Sequence, residues 1–412
     1  MLAQTVILCG GLGARLGPLT AHTPKPLLEV AGRPFLEVLI AEAARFGTRD
    51  IVLLAGRFGE QIFQRYDGTS YGTARVRVRV EPEPMGTAGA LRFALPLLER
   101  DFLLMNGDSW IDADLAVFSR SWRKTPDAAI QMLLQHVPDA ARFGSVEEQG
   151  GRITAFREKN LQRDAVPGWI NAGVYALQRS VVDALPRSGS LSLETDVLPG
   201  LVESGSARAV RAPEGRYFID IGLPETFAQA QTEIDNVRRR PAFFFDRDGT
   251  LNRDTGYTRR VEDLRWTQDA REAIRLANAA GYYVFVVTNQ AGVARGLYNE
   301  NAIERFHLAM QEALFKIGAH IDDIAWCPHH PEGSVAAYSH SCDCRKPAAG
   351  MLRQLMACWP VDAPRSLMIG DHEKDMQAAA AAGLTGRLYS GGSLVEIIRG
   401  FLNESGEAKH VG

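Results

Sequence analysis

Two aspartates separated by one residue, Asp246 and Asp248, follow the apolar run 242–245. Alternate side chains of an extended backbone point to the same side, so both carboxylates can face one substrate. One carboxylate can act as a nucleophile and the other as a general acid and base, which favours phosphoryl transfer. A hydroxyl, a cation and two further acids stand further along the chain: Thr288, Lys346, Asp371 and Asp375.

Cysteine and histidine residues cluster between positions 327 and 344 with the spacing C-x-H-x12-C-x-C. Three thiolates and one imidazole complete a tetrahedral Zn²⁺ shell, which predicts a structural site; the alternative is four reduced, unmetallated side chains. Arg345 and Lys346 follow directly, so the metal would hold two substrate-binding cations in place. The predicted ligands are Cys327, His329, Cys342 and Cys344, with His330 as the alternative histidine.

A glycine-rich loop follows the first strand-like run and contains Gly10, Gly11 and Gly13. Glycines let backbone N–H groups approach phosphates closely. The loop lacks the third glycine of a dinucleotide fingerprint and the Gly-Lys-Ser/Thr of a P-loop. Arg15 in the loop and Lys25, which stands between two prolines, supply two cations for a triphosphate.

Short apolar runs that close in polar loops alternate with helix-like stretches and indicate two α/β units. Such runs are typical of buried, mostly parallel strands with helices on both faces. We predict strands at 5–8, 51–55, 76–80, 102–105, 242–245, 283–287 and 366–369, and helices at 34–46, 86–98 and 225–237.

The junction between the units is marked by Arg238-Arg239-Arg240-Pro241, a charge run that favours a solvated helix end. The chain therefore reads as two Rossmann-like α/β domains. The predicted boundaries are 1–237 for the first domain, 238–242 for a linker, 243–402 for the second domain and 403–412 for a tail.

The stretch from Gly10 through Pro24-Lys25-Pro26 resembles the signature of sugar-1-phosphate nucleotidylyltransferases, and more of that pattern continues to about residue 230. The resemblance implies attack of a sugar 1-phosphate oxygen on the α-phosphate of a nucleoside triphosphate, with pyrophosphate leaving. Arg15, Lys25 and Mg²⁺ would neutralise the developing charge. The implied site residues are Gly86 and Thr87 at the nucleobase, Gly144, Glu158 and Lys159 at the sugar and its phosphate, Asn171 on a sugar-binding strand, and Asp108 and Asp220 at the metal. The Gly-Thr-Ala-Gly-Ala form at 86–90 is similar to the guanylyl branch and implies GTP.

Residues 242–390 resemble the haloacid dehalogenase (HAD) superfamily of phosphatases. The resemblance implies that Asp246 forms an aspartyl-phosphate, while Asp248 protonates the leaving oxygen and later activates water. Thr288 and Lys346 would bind the phosphoryl oxygens. The implied Mg²⁺ ligands are Asp246, the Asp248 carbonyl and Asp371, with Asp375 supporting the site.

The Cys/His loop and the segment 288–296 are similar to D-glycero-D-manno-heptose 1,7-bisphosphate phosphatases; histidinol-phosphate phosphatases have a shorter zinc loop. The similarity implies that Asn289, Arg295 and Arg345 contact the sugar or its second phosphate. Removal of the 7-phosphate yields a sugar 1-phosphate, which is the substrate type of the first unit. We therefore expect a bifunctional enzyme of GDP-D-glycero-D-manno-heptose synthesis. Open alternatives are mannose or N-acetylmuramate 1-phosphate, another nucleotide, a histidinol-phosphate-type phosphatase, or one unit without turnover.

The composition excludes several partner classes. Among 412 residues, 46 are Lys or Arg and 49 are Asp or Glu. The resulting net charge of −3 argues against nucleic acid as the main partner. No apolar run approaches the roughly 18 residues of a membrane helix. The N-terminal Met1-Leu2-Ala3-Gln4 has no basic region or cleavage site, so we expect a cytoplasmic protein. The expected partners are small-molecule substrates, and homo-oligomerisation is left open.

Overall fold

The structure is a computed structural model that describes residues 2–11, 13–140, 143–157 and 166–404 of the chain. The predicted sugar-phosphate contacts Glu158 and Lys159 lie outside the described residues. The chain divides into two compact units, Met1–Val237 and Arg238–Gly412. Each unit has its own sheet and its own hydrophobic core.

The first unit alternates strands with helices, as the apolar runs predict. Its strands are β1 (Gln4–Leu8), β2 (Glu29–Val30), β3 (Arg33–Pro34), β4 (Asp50–Ala55), β5 (Ser70–Tyr71), β6 (Ala74–Val80), β7 (Asp101–Asn106), β8 (Ser109–Ile111), β9 (Ile130–Val137), β10 (Ser145–Gln149), β11 (Arg152–Arg157), β12 (Gly168–Gln178), β13 (Ala207–Arg211) and β14 (Phe218–Asp220). Its helices are α1 (Phe35–Arg45), α2 (Gly59–Tyr66), α3 (Gly86–Phe93), α4 (Leu115–Trp122), α5 (Arg179–Asp183), α6 (Leu198–Glu203) and α7 (Pro224–Arg238).

Among the described residues of the first unit, the main sheet has ten strands in the order β10-β11-β13-β9-β12-β7-β1-β4-β6-β5. Strand β1 lies between β4 and β7 and is parallel to both, and β4 is parallel to β6. Strand β12 is antiparallel to both β7 and β9, so the sheet is mixed. The prediction of a mostly parallel sheet is wrong here, because an apolar run has the same composition in either strand direction.

Strand β1 is buried on both faces, which explains the apolar run Val6-Ile7-Leu8 that forms most of it. Ile7 packs in one hydrophobic cluster with α1, whereas Val6 and Leu8 pack in a second cluster with α3. Cys9 belongs to the first cluster and is buried, in agreement with a packing role. The sheet therefore presents the loop after β1 at an edge that is supported from both sides.

The charged end of α7 differs from the prediction. Arg238, the last residue of α7, is the first residue of the second unit. It is buried, and its guanidinium lies 5.8 Å from the centre of the Trp359 ring of the same unit, so a fully solvated helix end is wrong. The planar guanidinium can be buried against an aromatic face, which a count of charges does not reveal. Arg239, the next residue, is exposed.

The second unit has a five-stranded sheet in which every neighbouring pair is parallel. Its strands are β15 (Ala242–Phe245), β16 (Tyr283–Asn289), β17 (Asp323–Cys327), β18 (Leu367–Gly370) and β19 (Thr385–Leu388), in the order β17-β16-β15-β18-β19. Its helices are α8 (Ala270–Ala279), α9 (Glu300–Phe315), α10 (Gly350–Cys358), α11 (Glu373–Ala381) and α12 (Leu394–Glu404).

The strand order of the second unit places the candidate catalytic residues at one edge of the sheet. Because β15 lies between β16 and β18, the loops that follow these three parallel strands meet at their carboxyl ends.

Across the part of the chain that the structure describes, no helix combines the length and the apolar character needed to cross a bilayer.

Candidate active sites

The first candidate site of the second unit centres on Asp246, the residue that follows β15. Its Oδ1 lies 2.6 Å from the Nζ of Lys346, and both side chains are buried. The same ammonium lies 2.7 Å from Asp375 Oδ1 and donates to the carbonyl oxygen of Val287 over 2.8 Å. One cation is thus shared by two carboxylates inside the protein.

This pairing changes the proton affinity of both partners. Burial raises the pKa of Asp246 to about 6, and the Lys346 ammonium opposes that increase. Burial favours the neutral amine of Lys346, but the carboxylates of Asp246 and Asp375 outweigh it and raise the Lys346 pKa above its usual value. Lys346 therefore stays charged, as its predicted phosphoryl-binding role requires.

The carboxylates at this edge form a group that can hold a divalent cation. Oxygen atoms of Asp246, Asp371 and Asp375 all lie within 4.8 Å of one another. Asp371 Oδ1 is buried and has no hydrogen-bond donor among the described residues. Gly249, at φ 87°, lets Asp371 approach closely, because a Cβ at this position would collide with its carboxylate. This oxygen-rich set fits Mg²⁺.

Asp248 is held by donors on both of its oxygens. Arg247 Nε donates to Oδ1 over 3.1 Å, and Arg247 Nη2 donates to Oδ2 over 2.6 Å. Gln290 Nε2 donates to Oδ2 over 3.0 Å, and Asn252 Nδ2 donates to Oδ1 over 3.3 Å. Sequence reasoning missed Arg247, Gln290 and Asn252, since each looks like a spacer beside a recognised motif residue.

Strand β16 contributes Thr288 and Asn289. Thr288 is buried, and its hydroxyl oxygen accepts a hydrogen bond from Gln290 Nε2 over 2.9 Å. The side-chain amide of Asn289 is bonded at both ends to the backbone of Lys346. The structure therefore brings Asn289 to the site through Lys346, and its predicted contact with the sugar stays a prediction.

The Cys/His cluster brings four donor atoms together. The Sγ atoms of Cys342 and Cys344 are 3.1 Å apart, and His329 Nδ1 lies 3.3 Å from Cys344 Sγ. Cys327 Sγ lies 3.5 Å from Cys342 Sγ and 3.2 Å from Cys344 Sγ. These cysteines form no disulfide, and the four donors lie within 4.8 Å of one another, which fits a tetrahedral Zn²⁺ ion.

The predicted arginines lie around this cluster. Arg345 Nη1 donates to the carbonyl oxygen of His329 over 3.2 Å. Arg295 is exposed, and its Nη2 lies 3.4 Å from His330 Nε2. Both guanidinium groups thus contact the histidine-bearing loop, and Arg345 directly precedes Lys346 in the chain.

The candidate site of the first unit centres on Lys25 and two aspartates. Lys25 Nζ lies 2.6 Å from Asp108 Oδ2 and 3.4 Å from Asp220 Oδ1. Burial and the neighbouring Asp108 raise the pKa of Asp220. Because both carboxylates converge on one ammonium, they can also converge on a metal cation, and the oxygen donors fit Mg²⁺.

Arg15 and Gly222 border the same group. A Cβ at Gly222 would lie 2.8 Å from Lys25 Nζ and 3.5 Å from Arg15 Nη2, so glycine makes room for both cations. Arg15 is exposed, and Gly10 and Gly11 form the exposed loop after β1. Gly13 precedes the turn that carries Arg15 and has φ 59°.

Glu194, which sequence reasoning missed, contacts the predicted nucleobase residue Thr87 and lies near the predicted sugar residue Asn171 through Tyr175. Thr87, in the first turn of α3 after Gly86, donates its hydroxyl to Glu194 Oε2 over 3.0 Å. Asn171 Nδ2 donates to the Tyr175 hydroxyl over 2.5 Å, and that hydroxyl lies 3.4 Å from Glu194 Oε1. Glu194 lies on a π-helical turn, Leu193–Val197, and no local pattern marks it.

Two more residues flank this group. The carbonyl oxygen of Gly144 accepts a hydrogen bond from the backbone N–H of Asn171 over 3.2 Å, which places Gly144 beside the β12 strand. Glu81 directly follows β6 and accepts from the backbone N–H of Met85 over 3.2 Å. Burial raises the pKa of Glu81. The position of Glu81 directly after a strand is the sequence signal that could have identified it as a candidate site residue.

Comparison with known proteins identifies similar sequences for both units. Residues 4–237 match the nucleotidyl transferase family, and residues 343–396 match the HAD-hydrolase-like family. A D-glycero-beta-D-manno-heptose-1,7-bisphosphate 7-phosphatase from Rhodopseudomonas palustris is 46% identical over 166 residues, which cover 40% of this chain and 92% of that protein. The protein of the same name from Yersinia pestis is 42% identical over 144 residues, covering 35% of this chain and 77% of that protein.

One similar solved structure has about the length of the first unit. The crystal structure of HddC from Yersinia pseudotuberculosis complexed with GMP-PN has a TM-score of 0.50 and 29% sequence identity. The match covers 57% of this chain and 100% of that chain. Together these similarities confirm the predicted order of a nucleotidyl transferase fold followed by a HAD-type phosphatase fold.

Proposed function

Because the chain belongs to the nucleotidyl transferase family over residues 4–237 and continues into a HAD-type phosphatase unit, we propose two consecutive reactions. The second unit removes the 7-phosphate of D-glycero-D-manno-heptose 1,7-bisphosphate. The first unit transfers GMP from GTP to the heptose 1-phosphate and releases pyrophosphate. The observation that carries the phosphatase proposal is the buried Asp246–Lys346 pair beside Asp371, in a chain that is 46% identical over 166 residues to a heptose bisphosphate phosphatase.

In the phosphatase reaction, Asp246 is the nucleophile. Its carboxylate oxygen attacks the phosphorus at C7, the bond from phosphorus to the C7 oxygen breaks, and Asp248 gives that oxygen a proton. Lys346 and Thr288 offset the charge of the phosphoryl oxygens. Water then attacks the aspartyl-phosphate while Asp248 accepts its proton, and inorganic phosphate leaves.

The cation requirement follows from charge. Mg²⁺ held by Asp246, Asp371 and the carbonyl oxygen of Asp248, with Asp375 supporting the site, would reduce the repulsion between the attacking carboxylate and a phosphate dianion. Lys346 cannot supply this compensation alone, because Asp246 and Asp375 share its ammonium and already neutralise part of its charge. Zn²⁺ at the Cys/His cluster would have a structural role and fix the chain that leads into Arg345 and Lys346.

In the nucleotidyl transfer, the glycine loop and two cations receive the triphosphate. Arg15 and Lys25 stabilise the negative charge that develops on the α-phosphoryl group and on the leaving pyrophosphate. Mg²⁺ held by Asp108 and Asp220 would add to that stabilisation. The hydrogen-bonded group of Thr87, Asn171, Tyr175 and Glu194 supplies donors and acceptors for base and sugar hydroxyls.

The choice of GTP rests on two observations. The segment 86–90 reads Gly-Thr-Ala-Gly-Ala, and the similar solved structure is a complex with GMP-PN. The proposal also implies a cytoplasmic location, where nucleoside triphosphates are formed, and small molecules as the partners of the reaction.

The position of the removed phosphate tests the phosphatase half. Heptose 1,7-bisphosphate is incubated with the full chain and Mg²⁺, without nucleotide, and followed by ³¹P NMR. We expect the C7 phosphate resonance to disappear while the anomeric phosphate remains. Loss of the anomeric phosphate, or no release from either position, would contradict the proposal.

A further inference from the structure

Arg247 is a fully buried cation beside Asp248. Burial of a guanidinium is costly unless its charge and its N–H groups are paired. Its carboxylate partner is Asp248, which it binds through two parallel hydrogen bonds. Such two-point pairs fix the plane of the carboxylate as well as its distance.

Three other groups fix the guanidinium itself. Arg247 Nη2 also donates to the carbonyl oxygen of Thr258 over 2.8 Å, and the guanidinium lies 4.6 Å from the centre of the Phe306 ring. Arg247 Nη1 lies 3.2 Å from Nε2 of His307, a buried residue of α9. The guanidinium is therefore oriented from outside the motif that contains it.

The contact defines the state of the histidine. Arginine has only donors, so His307 Nε2 must accept, and the ring proton then lies on Nδ1 of a neutral imidazole. Burial, reinforced by the Arg247 charge, lowers the pKa of His307 well below its usual range, in agreement with a neutral ring.

We propose that Arg247 and His307 are positioning residues of the phosphatase: His307 orients Arg247, and Arg247 holds the Asp248 carboxylate in place for proton transfer. The inference rests on the proposed function, in which Asp248 protonates the leaving oxygen. Rotation of the Asp248 carboxylate would break both bonds to Arg247 at once. A misplacement of a catalytic group by about 1 Å can cost on the order of 10²-fold in rate.

Two substrates with different leaving groups can distinguish a misplaced Asp248 from general structural damage. The alkoxide of a sugar phosphate needs a proton when it leaves, whereas p-nitrophenolate leaves without one. The value of kcat/KM reports only the steps up to departure of the leaving group, so later use of Asp248 with water does not enter. A poorly placed Asp248 should therefore reduce kcat/KM for the sugar phosphate alone.

The experiment compares the full-length protein with His307→Leu and His307→Gln on heptose 1,7-bisphosphate and on p-nitrophenyl phosphate. For His307→Leu we expect a loss of about 10- to 100-fold in kcat/KM with the sugar and less than about threefold with the aryl phosphate. His307→Gln retains an acceptor and should stay within about threefold of the unsubstituted protein on both substrates. His320→Gln, at another buried histidine of this unit, is the matched control and should not change the ratio of the two values.

Equal losses on both substrates, or no loss with the sugar, would overturn the proposal. If His307→Leu does not fold, Arg247→Lys decides, because lysine keeps the charge but cannot form the two-point pair. A selective loss with the sugar supports positioning, and its absence overturns it. If the unsubstituted protein cleaves p-nitrophenyl phosphate but not the heptose, the proposed substrate has failed, and an alkyl phosphate that it does cleave gives the same comparison.

Discussion

Asn289 and Lys346 hold each other through two hydrogen bonds. Asn289 Nδ2 donates to the carbonyl oxygen of Lys346 over 3.0 Å, and the backbone N–H of Lys346 donates to Asn289 Oδ1 over 3.1 Å. This exchange ties the end of β16 to the segment that follows the Cys/His cluster. The position of the Lys346 ammonium, 2.6 Å from Asp246, therefore depends on a side chain of the neighbouring strand.

Replacing Asn289 tests that dependence. In Asn289→Ala the Lys346 backbone loses both partners, so we expect kcat of the phosphatase to fall about tenfold or more with KM changed less than about threefold. The nucleotidyl transfer of the same chain is the internal control and should not change. A raised KM with normal kcat would instead identify Asn289 as a sugar contact.

The two candidate sites should respond separately to substitution. Asp246→Asn removes the nucleophile, so phosphate release should fall at least about 10³-fold while nucleotidyl transfer persists. Lys25→Ala removes the ammonium between Asp108 and Asp220 and should have the opposite pattern. Each variant is the control for the other in paired assays. Either substitution abolishing both activities in a folded protein would contradict separate sites.

Zinc content tests the Cys/His cluster. We expect the purified chain to contain zinc by elemental analysis and Cys342→Ser to lose most of it, because one thiolate ligand is gone. The phosphatase should also unfold at a lower temperature. Cys358→Ser, at an exposed cysteine of α10 outside the cluster, is the matched control and should retain its zinc. Unchanged zinc in Cys342→Ser would refute the ligand assignment.

His307 predicts how stability depends on pH. Its pKa is lowered in the folded state, so below the usual value of 6.5 the unfolded chain binds a proton that the folded chain does not. The free energy of unfolding should therefore fall on acidification from pH 7.5 to 5.5, and His307 should contribute on the order of 1 kcal/mol to that loss. Urea unfolding of the full chain measures it. His307→Gln should show a weaker pH dependence, and identical slopes would contradict a neutral buried His307.

Much of the framework follows from local sequence. Strands β1, β7, β15, β16 and β18 are short apolar runs, and the polar residues that follow them lie at the carboxyl ends of the sheets. Asp246 and Lys346 are 100 residues apart in the chain but meet because parallel strands carry their loops to one edge. The Cys/His spacing alone predicts the four donors that the folded loop brings within 4.8 Å of one another.

What the sequence does not reveal depends on long-range contacts. The direction of β12 leaves no mark in its composition, and the mixed sheet follows from that direction. Arg247 looks like a spacer between two motif aspartates, and its partner His307 is 60 residues away on a helix face. Glu194 meets Thr87 across 107 residues, so neither predicts the other.

The most direct measurement is a single reaction that requires both units. The full chain is incubated with heptose 1,7-bisphosphate, Mg²⁺ and each nucleoside triphosphate in turn, with the α and β anomers tested separately, and the products are identified by mass spectrometry. We expect GDP-heptose with GTP, together with one phosphate and one pyrophosphate per product. Phosphate release without any nucleotide sugar from any triphosphate would contradict the central claim that one unit produces the substrate of the other.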